Sequence, residues 1–326
     1  MVLLFDNNRA IDSPSLAPGQ DEVIGGTPLE LTIGLVNNMP DSALKATERQ
    51  FMRLLSGAAR NVRIRFHCFA LPSVARSPAA QAHIDQQYSD IAALDRLNID
   101  ALIVTGAEPN AASLSQEPFW RDLAGLIDWA KTHTRSTIWS CLAAHAAVLH
   151  LDGIERQRLG AKCSGVFGCA RVQDDGLTRG LRSPLKISHS RLNEVREDDL
   201  TGRGYQVLTR SEAAGVDIFI KQYQSRFVFF QGHPEYDALT LQREYMRDLA
   251  RFLAGEREDY PAVPANYFDA TTEARLASFE KRAKVRREPT LAAELPGLTL
   301  RGDLAAGVAA SVIFKNWLGF LAKPAD

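Results

Sequence analysis

One cysteine stands at a point where an apolar strand gives way to a helix. Residues 136–141 (STIWSC) read as a short strand that ends in Cys141, and residues 142–151 (LAAHAAVLHL) read as an Ala-rich helix. A strand-to-helix turn exposes a side chain at the carboxyl edge of a parallel sheet. The helix N-terminus stabilises a thiolate, and its N–H groups can hold an oxyanion. The pattern predicts a nucleophile at Cys141, although a small buried core cysteine would fit it too.

A histidine and a carboxylate follow a second apolar strand. The strand RFVFFQG (226–232) leads directly into His233, and Glu235 lies two residues further on. A carboxylate that holds one imidazole nitrogen leaves the other free to take a proton from a thiol. A His-x-Glu pair is common in solvated loops, but together with Cys141 it predicts a Cys-His-Glu triad.

Strands and helices alternate along the chain around these residues. This alternation predicts an α/β fold, with a flavodoxin-like parallel sheet, helices on both faces and the site at the carboxyl ends of the strands. The pattern is weaker between 161 and 215. The predicted strands are 31–38, 62–71, 100–106, 136–141, 216–222 and 226–232, and the predicted helices are 46–59, 117–133, 142–151, 240–255, 273–286 and 308–323.

The chain divides into three predicted regions. Residues 1–28 form an irregular N-terminal lead-in, and residues 29–256 form the α/β catalytic domain. Residues 257–326 are a C-terminal extension, which is expected to pack on the same domain. At 326 residues and 45% hydrophobic content, the chain can bury a sizeable core.

The composition excludes several classes of protein. The 38 basic and 39 acidic residues are balanced, which argues against a nucleic-acid partner. The apolar runs fall short of the roughly 20 residues that span a bilayer, and the N-terminus does not read as a signal peptide. Four cysteines do not make a disulfide scaffold in a chain this long, so a cytoplasmic location is expected. Cys163 and Cys169 have no matching pair at zinc spacing, so no metal site is predicted.

A series of motifs occurs in the same order in a known family. GHPEYD (232–237) and the helix that carries Arg247 resemble the homoserine O-acyltransferases, or homoserine trans-succinylases, whose fold is similar to that of class I glutamine amidotransferases. The resemblance extends from about residue 30 to residue 320. The other matching segments are 38–40, 47–56, 101–109, the Trp120 helix, the Cys141 turn, 162–166, 178–180, 189–191, 266–268 and 314–318.

The resemblance implies a ping-pong acyl transfer between small-molecule substrates. Cys141 would take a succinyl or acetyl group from acyl-CoA as a thioester. His233 would serve as general base for the thiol and then for the hydroxyl of L-homoserine, while Glu235 orients it. Acyl-CoA is a substrate here, so no cofactor is expected. The family also implies a homodimer and a place in methionine biosynthesis.

Further binding residues follow from the same resemblance. Lys162, Ser190 and Arg247 lie at the family's substrate-binding positions, and an Arg fork suits the carboxylate of an amino acid. The family's residue at the position of Asn110 helps to choose the acyl group, since Gly leaves room for succinyl and Glu favours acetyl. Asn110 lacks the charge that would repel succinyl, which favours the succinyl donor.

Three alternatives remain open at this point. The first alternative is L-serine as acceptor, which departures from the family pattern would allow. One departure is the segment 37–51, which is longer than in the family and leaves the second oxyanion donor unassigned. A class I glutaminase would use the same triad, but such enzymes usually have Gly on both sides of the nucleophile, where this chain has Ser140 and Leu142. A non-catalytic relative that binds an amino acid or a CoA ester would not need all three triad residues.

Overall fold

The computed structural model describes residues 29–59, 62–302, 304 and 307–324, together with the backbone of residues 3–5. Most of the predicted lead-in therefore lies outside the described residues. The exception is Leu3–Phe5, which forms a short strand at the edge of the sheet where no strand was predicted. The boundaries at 28 and 256 remain predictions.

The described residues form one sheet of ten strands. The predicted strands are all present, and the weakly patterned stretch 161–215 contributes further strands that were not predicted. The strands are β1 (Leu3–Phe5), β2 (Leu29–Val36), β3 (Val62–Phe69), β4 (Ala101–Thr105), β5 (Ser136–Ser140), β6 (Gln157–Arg171), β7 (Leu185–Glu194), β8 (Gln206–Ser211), β9 (Gly215–Gln222) and β10 (Arg226–Phe230).

The strand order is β1-β3-β2-β4-β5-β10-β9-β8-β6-β7. From β1 to β10 all neighbouring strands are parallel, and β3-β2-β4-β5-β10 has the order of a flavodoxin-like fold. The predicted fold class is confirmed for this half. The strands from β10 to β7 pair in antiparallel fashion, so the whole sheet is mixed.

The predicted helices are present with ends shifted by a few residues, and the helices α2 and α5 were not predicted. None of the helices in the described ranges is long and apolar enough to cross a bilayer. The helices are α1 (Asp41–Ala58), α2 (Pro78–Gln87), α3 (Trp120–His133), α4 (Leu142–Asp152), α5 (Glu197–Thr201), α6 (Thr240–Leu253), α7 (Ala270–Val285) and α8 (Val308–Leu321).

Helices cover both faces of the sheet. Successive side chains of a strand point to opposite faces, and β10 shows the result. Phe227 and Phe229 pack with α3 and α4, whereas Val228 and Phe230 pack with α1 and α8. Trp317 of α8 is fully buried in the second of these cores, so the C-terminal helix is part of the core.

A third apolar cluster holds α6 against the C-terminal region. Tyr245, Leu249 and Phe252 of α6 are buried with Leu276 and Phe279 of α7. Because α6 follows the loop that carries His233, this cluster positions one wall of the site described below.

Candidate active site

The ends of β5 and β10 bring Cys141 and His233 to the same edge of the sheet. The two strands are parallel neighbours, with Ser140 in register with Phe230. The N–H of Cys141 donates to the carbonyl of Phe230 at 2.7 Å. Three residues after Phe230, the N–H of His233 donates to the carbonyl of Ser188 on β7, also at 2.7 Å. The predicted nucleophile and base therefore lie on backbones that are tied to the sheet.

Cys141 has a strained backbone conformation. Its φ is +52° and its ψ is −110°, in a region that residues other than Gly rarely adopt. A nucleophile on a sharp strand-to-helix turn has this kind of strain, because the turn lifts the side chain above the sheet edge. The end of β4 lies close against the turn, since a Cβ on Gly106 would stand 2.3 Å from the Cβ of Leu142.

His233 is held by Glu235, as predicted. Its Nδ1 lies 2.8 Å from Oε1 of Glu235, and its ring stacks on Tyr236 at 4.3 Å between centroids. Burial alone would lower the pKa of His233, but the carboxylate of Glu235 and the charge and hydrogen bond of Cys141 hold this pKa well above its usual range.

A cavity of about 240 Å³ opens in front of these residues. Cys141 and His233 line it, and so do the predicted binding residues Lys162, Ser190 and Arg247. The structure thus brings together, around one space, residues that lie more than 100 positions apart in the sequence.

Asn110 lies apart from this lining. Its side chain is exposed, and the wall of the cavity on this side is formed by Glu108 and Pro109. The backbone N–H of Asn110 donates to Oε1 of the buried Glu117 at 2.6 Å, which holds the loop in place. The role of Asn110 in acyl selection stays a prediction.

Lys162 and Arg247 meet at a carboxylate that was not predicted. Nζ of Lys162 lies 3.2 Å from Oδ2 of Asp248, and Arg247 donates to Oδ1 of Asp248 at 2.8 and 3.0 Å. Burial would raise the pKa of Asp248, but Lys162 and Arg247 outweigh it and lower this pKa. The three side chains form an ion cluster on the α6 side of the cavity.

Glu244 is a second carboxylate that the sequence analysis missed. It accepts a short hydrogen bond from Oγ of Ser190 and one of 2.6 Å from the hydroxyl of Tyr236, and it lies 3.7 Å from Nζ of Lys162. Residues three and four apart share one face of a helix, so the spacing of Glu244, Arg247 and Asp248 was a signal that α6 presents a charged face.

A second Cys-His-carboxylate group lies nearby. Cys169, His189 and Asp217 are fully buried, with His189 Nε2 3.5 Å from Asp217 Oδ1 and 3.9 Å from Cys169 Sγ. Burial raises the pKa of Asp217 to about 6, raises that of Cys169 and lowers that of His189 well below its usual range. The thiol of Cys169 stays protonated, a form that binds metal poorly, and three protein donors are fewer than the four of a closed zinc site.

Gly232 separates this buried cluster from the triad. A Cβ on Gly232 would stand 2.6 Å from Oδ1 of Asp217, 2.7 Å from Cγ2 of Ile187 and 3.0 Å from Cε1 of His189. A side chain at position 232 therefore has no room. The loop that carries His233 rests directly on the buried cluster.

His145 also lines the cavity, but its imidazole is hydrogen-bonded to a buried glutamine. Its Nε2 lies 3.0 Å from Oε1 of Gln231, whose other hydrogen bonds go to backbone groups of Val195 and Val216. Burial lowers the pKa of His145 to about 4, so it is neutral at physiological pH. These contacts give His145 a structural role.

A larger hollow of about 590 Å³ lies elsewhere, beside α8, where Arg179, Arg226 and Lys315 contribute to its walls. No residue of the triad lines it. We place the active site by its chemistry and not by the size of the hollow, so the cavity at Cys141 is the candidate.

The fold is that of the class I glutamine amidotransferases. The structure is similar to a glutamine amidotransferase from Thermotoga maritima with a TM-score of 0.50 and 14% identity, over 90% of this chain and 99% of that one. It is also similar to a glutamine amidotransferase from Methylobacillus flagellatus with a TM-score of 0.51 and 15% identity, over 91% of this chain and 97% of that one. At such identities the likeness concerns the fold alone.

Within this class, the sequence identifies the family. The family model for homoserine O-succinyltransferase matches residues 25–324, so the chain belongs to the homoserine O-succinyltransferase family. It is 66% identical over 323 residues to a homoserine O-succinyltransferase of Bradyrhizobium japonicum and 57% identical over 331 residues to one of Rhodopseudomonas palustris. In both cases 99% of each chain is covered. The resemblance seen in the sequence is confirmed.

Proposed function

We propose that this protein transfers a succinyl group from succinyl-CoA to the hydroxyl of L-homoserine through a thioester on Cys141. The observation that carries the proposal is the strained turn that lifts Cys141 over the cavity, beside a buried His233 held by Glu235. The names of the relatives support the donor and the acceptor.

In the first half-reaction the thiolate of Cys141 attacks the thioester carbonyl of succinyl-CoA. The S–acyl bond to Cys141 forms, the bond to the CoA sulfur breaks, and His233 gives its proton to the departing CoA thiolate. The N–H groups in the first turn of α4, which have no partner within the helix, would stabilise the developing oxyanion. No external group is needed for this step.

In the second half-reaction the hydroxyl of homoserine attacks the thioester. His233, now neutral, takes the hydroxyl proton, the new ester bond forms, and the Cys141 sulfur leaves as thiolate. The protonated imidazole is then stabilised by Glu235 at 2.8 Å, which restores the ion pair for the next turnover.

The charged face of α6 suits the acceptor amino acid. The guanidinium of Arg247 is oriented by Asp248 and remains about half exposed, so it can accept a carboxylate through its free N–H groups. Glu244 supplies a carboxylate for the ammonium group, and Ser190 and Lys162 surround it. An amino acid bound between Arg247 and Glu244 would be held at both of its charged groups.

The homodimer, the cytoplasmic location and the place in methionine biosynthesis belong to this proposal as expectations. The chain has no Gly on either side of Cys141, which disfavours glutamine hydrolysis although the fold is shared with glutaminases.

Product analysis tests the proposal. The purified protein is incubated with succinyl-CoA and with L-homoserine, L-serine or L-glutamine, and the products are identified by mass spectrometry. We expect O-succinylhomoserine and free CoA from the wild type, and neither from Cys141→Ser. Succinylation of L-serine in preference to L-homoserine would show that serine is the acceptor. Release of ammonia from L-glutamine without acyl transfer would overturn the proposal.

A further inference from the structure

The cations that line the catalytic cavity differ in what they bind. Among the described residues, four lysine and arginine side chains line it. Lys162 and Arg247 are paired with Asp248, and Arg191 donates to two backbone carbonyl groups. The fourth, Arg156, has no hydrogen bond or ion pair with any residue in the described ranges.

Arg156 stands beside the nucleophile. It lies just before β6, is half-buried and shares the cavity lining with Cys141. The opposite charges that act on it are those of Glu117, Glu155 and Cys141. Glu117 makes no direct bond to Arg156. Its Oε1 accepts the backbone N–H groups of Asn110 and Ala111, and its Oε2 has no hydrogen-bond partner in the described ranges. The guanidinium of Arg156 therefore keeps its N–H donors available to a ligand.

The proposed reaction brings two carboxylates into this one cavity. The carboxylate of the acceptor fits Arg247, on α6. The succinyl group carries the second carboxylate, two methylene groups beyond the carbonyl that Cys141 attacks, and an unpaired cation beside Cys141 is what such a group requires.

We propose that Arg156 binds the free carboxylate of the succinyl group, both in the donor and in the thioester on Cys141, and thereby selects succinyl-CoA over donors without this charge. The assignment rests on the proposed function and deepens it. It also places donor selection on a residue of the cavity wall, whereas the side chain of Asn110 is exposed outside that wall.

Single-turnover acylation tests this assignment without an acceptor. The rate of CoA release and the mass of the acyl-enzyme are measured with succinyl-CoA and with butanoyl-CoA, which has the same number of acyl carbons and no charge. The variants are Arg156→Gln and Arg156→Lys. The matched control is Arg158→Gln, because Arg158 is an exposed arginine of β6 that does not line the cavity. Thermal unfolding checks that each variant is folded.

We expect the wild type and Arg158→Gln to prefer succinyl-CoA. Arg156→Gln should lose at least about tenfold in the rate with succinyl-CoA, the size of a charge-assisted hydrogen bond, and should keep its rate with butanoyl-CoA within about twofold. Arg156→Lys should retain part of the preference, because it keeps the charge but not the fork.

Two results would overturn the assignment. One is an equal loss with both donors in Arg156→Gln, which would indicate a structural role. The other is no change with either donor. A wild-type protein that neither donor acylates would overturn the proposed function itself, and the assignment with it.

Discussion

Two Cys-His-carboxylate groups lie on either side of Gly232, and only one of them lines the proposed catalytic cavity. Cys141 and His233 face a cavity, with Glu235 behind them. Cys169, His189 and Asp217 contain the same functional groups but are fully buried. These three residues form the buried cluster.

The difference teaches that surroundings, and not residue types, make a catalytic group. In the triad, charges outweigh burial, so the pKa of His233 is raised and its protonated form is favoured. In the buried cluster, desolvation dominates, so the pKa of His189 is lowered and that of Asp217 is raised to about 6. All of its members thus tend toward their neutral forms.

Replacing each of the two cysteines in turn should give the largest difference between the triad and the buried cluster. Cys141→Ser should lower kcat by at least about 10⁴-fold, because the nucleophile and its base act as a unit. Cys169→Ser should keep kcat within a few-fold and lower the free energy of unfolding by about 1–2 kcal/mol, because a hydroxyl replaces a buried thiol. Steady-state kinetics and urea unfolding measure both. A loss of acylation in folded Cys169→Ser would contradict the distinction.

The carboxylates offer the next comparison. Glu235→Gln keeps the shape of the side chain but removes the charge that holds His233 protonated, so kcat should fall by about 10²–10⁴-fold. The pH dependence of the acylation rate should shift as well, because the pKa of His233 loses its main raising interaction. Asp217→Asn serves as the control and should leave that pH profile in place. Equal profiles in Glu235→Gln and the wild type would remove Glu235 from the triad.

Gly232 joins the two groups, and its substitution should harm the triad through the buried cluster. In Gly232→Ala the new methyl would overlap Oδ1 of Asp217 and Cγ2 of Ile187, so the loop must move and carry His233 with it. A displacement of about 1 Å at a catalytic group can cost about 10²-fold in rate. Gly125→Ala, on α3 with open space around it, is the control. Unchanged acylation in Gly232→Ala would show that the loop does not depend on this contact.

The smallest expected effect is a pH dependence of stability from Asp217. Its pKa is about 6 in the fold against an ordinary 3.8, so between these values the folded state binds more protons than the unfolded state. Its stabilising contribution is present at low pH and is lost as the pH rises through 6. The groups that face Asp217 are His189, Cys169 and Arg191. None of them is substituted in Asp217→Asn.

The wild type should therefore lose stability relative to Asp217→Asn by about 2 kcal/mol between pH 4 and pH 7. Urea unfolding of both proteins across this range measures the difference. If the difference in free energy of unfolding between the two proteins does not change with pH, the pKa of Asp217 is not raised in the fold.

The predictable part of the fold was the part with a clear period. The parallel strands from β2 to β5 are short apolar runs, and α1, α3 and α6 have helical periodicity, so their order and type could be read directly. The strand β6 could not, because it is half-exposed along most of its 15 residues and lacks regular alternation. The strand β1 was missed because three residues carry too little pattern.

The same limit applies to the site. Cys141, His233 and Glu235 follow strand ends, and strand ends meet at one edge of a parallel sheet, so their meeting was predictable. The buried cluster was not, because Cys169, His189 and Asp217 come from three antiparallel strands whose register no local pattern determines.

An intact-protein mass spectrum tests the central claim most directly. The protein is incubated briefly with succinyl-CoA, and separately with acetyl-CoA, in the absence of an acceptor. We expect one added succinyl mass on the wild type, none on Cys141→Ala, an undiminished adduct on Cys169→Ala, and discharge of the adduct when L-homoserine is added. The absence of an adduct with either donor, or an adduct that persists in Cys141→Ala, would contradict a thioester on Cys141.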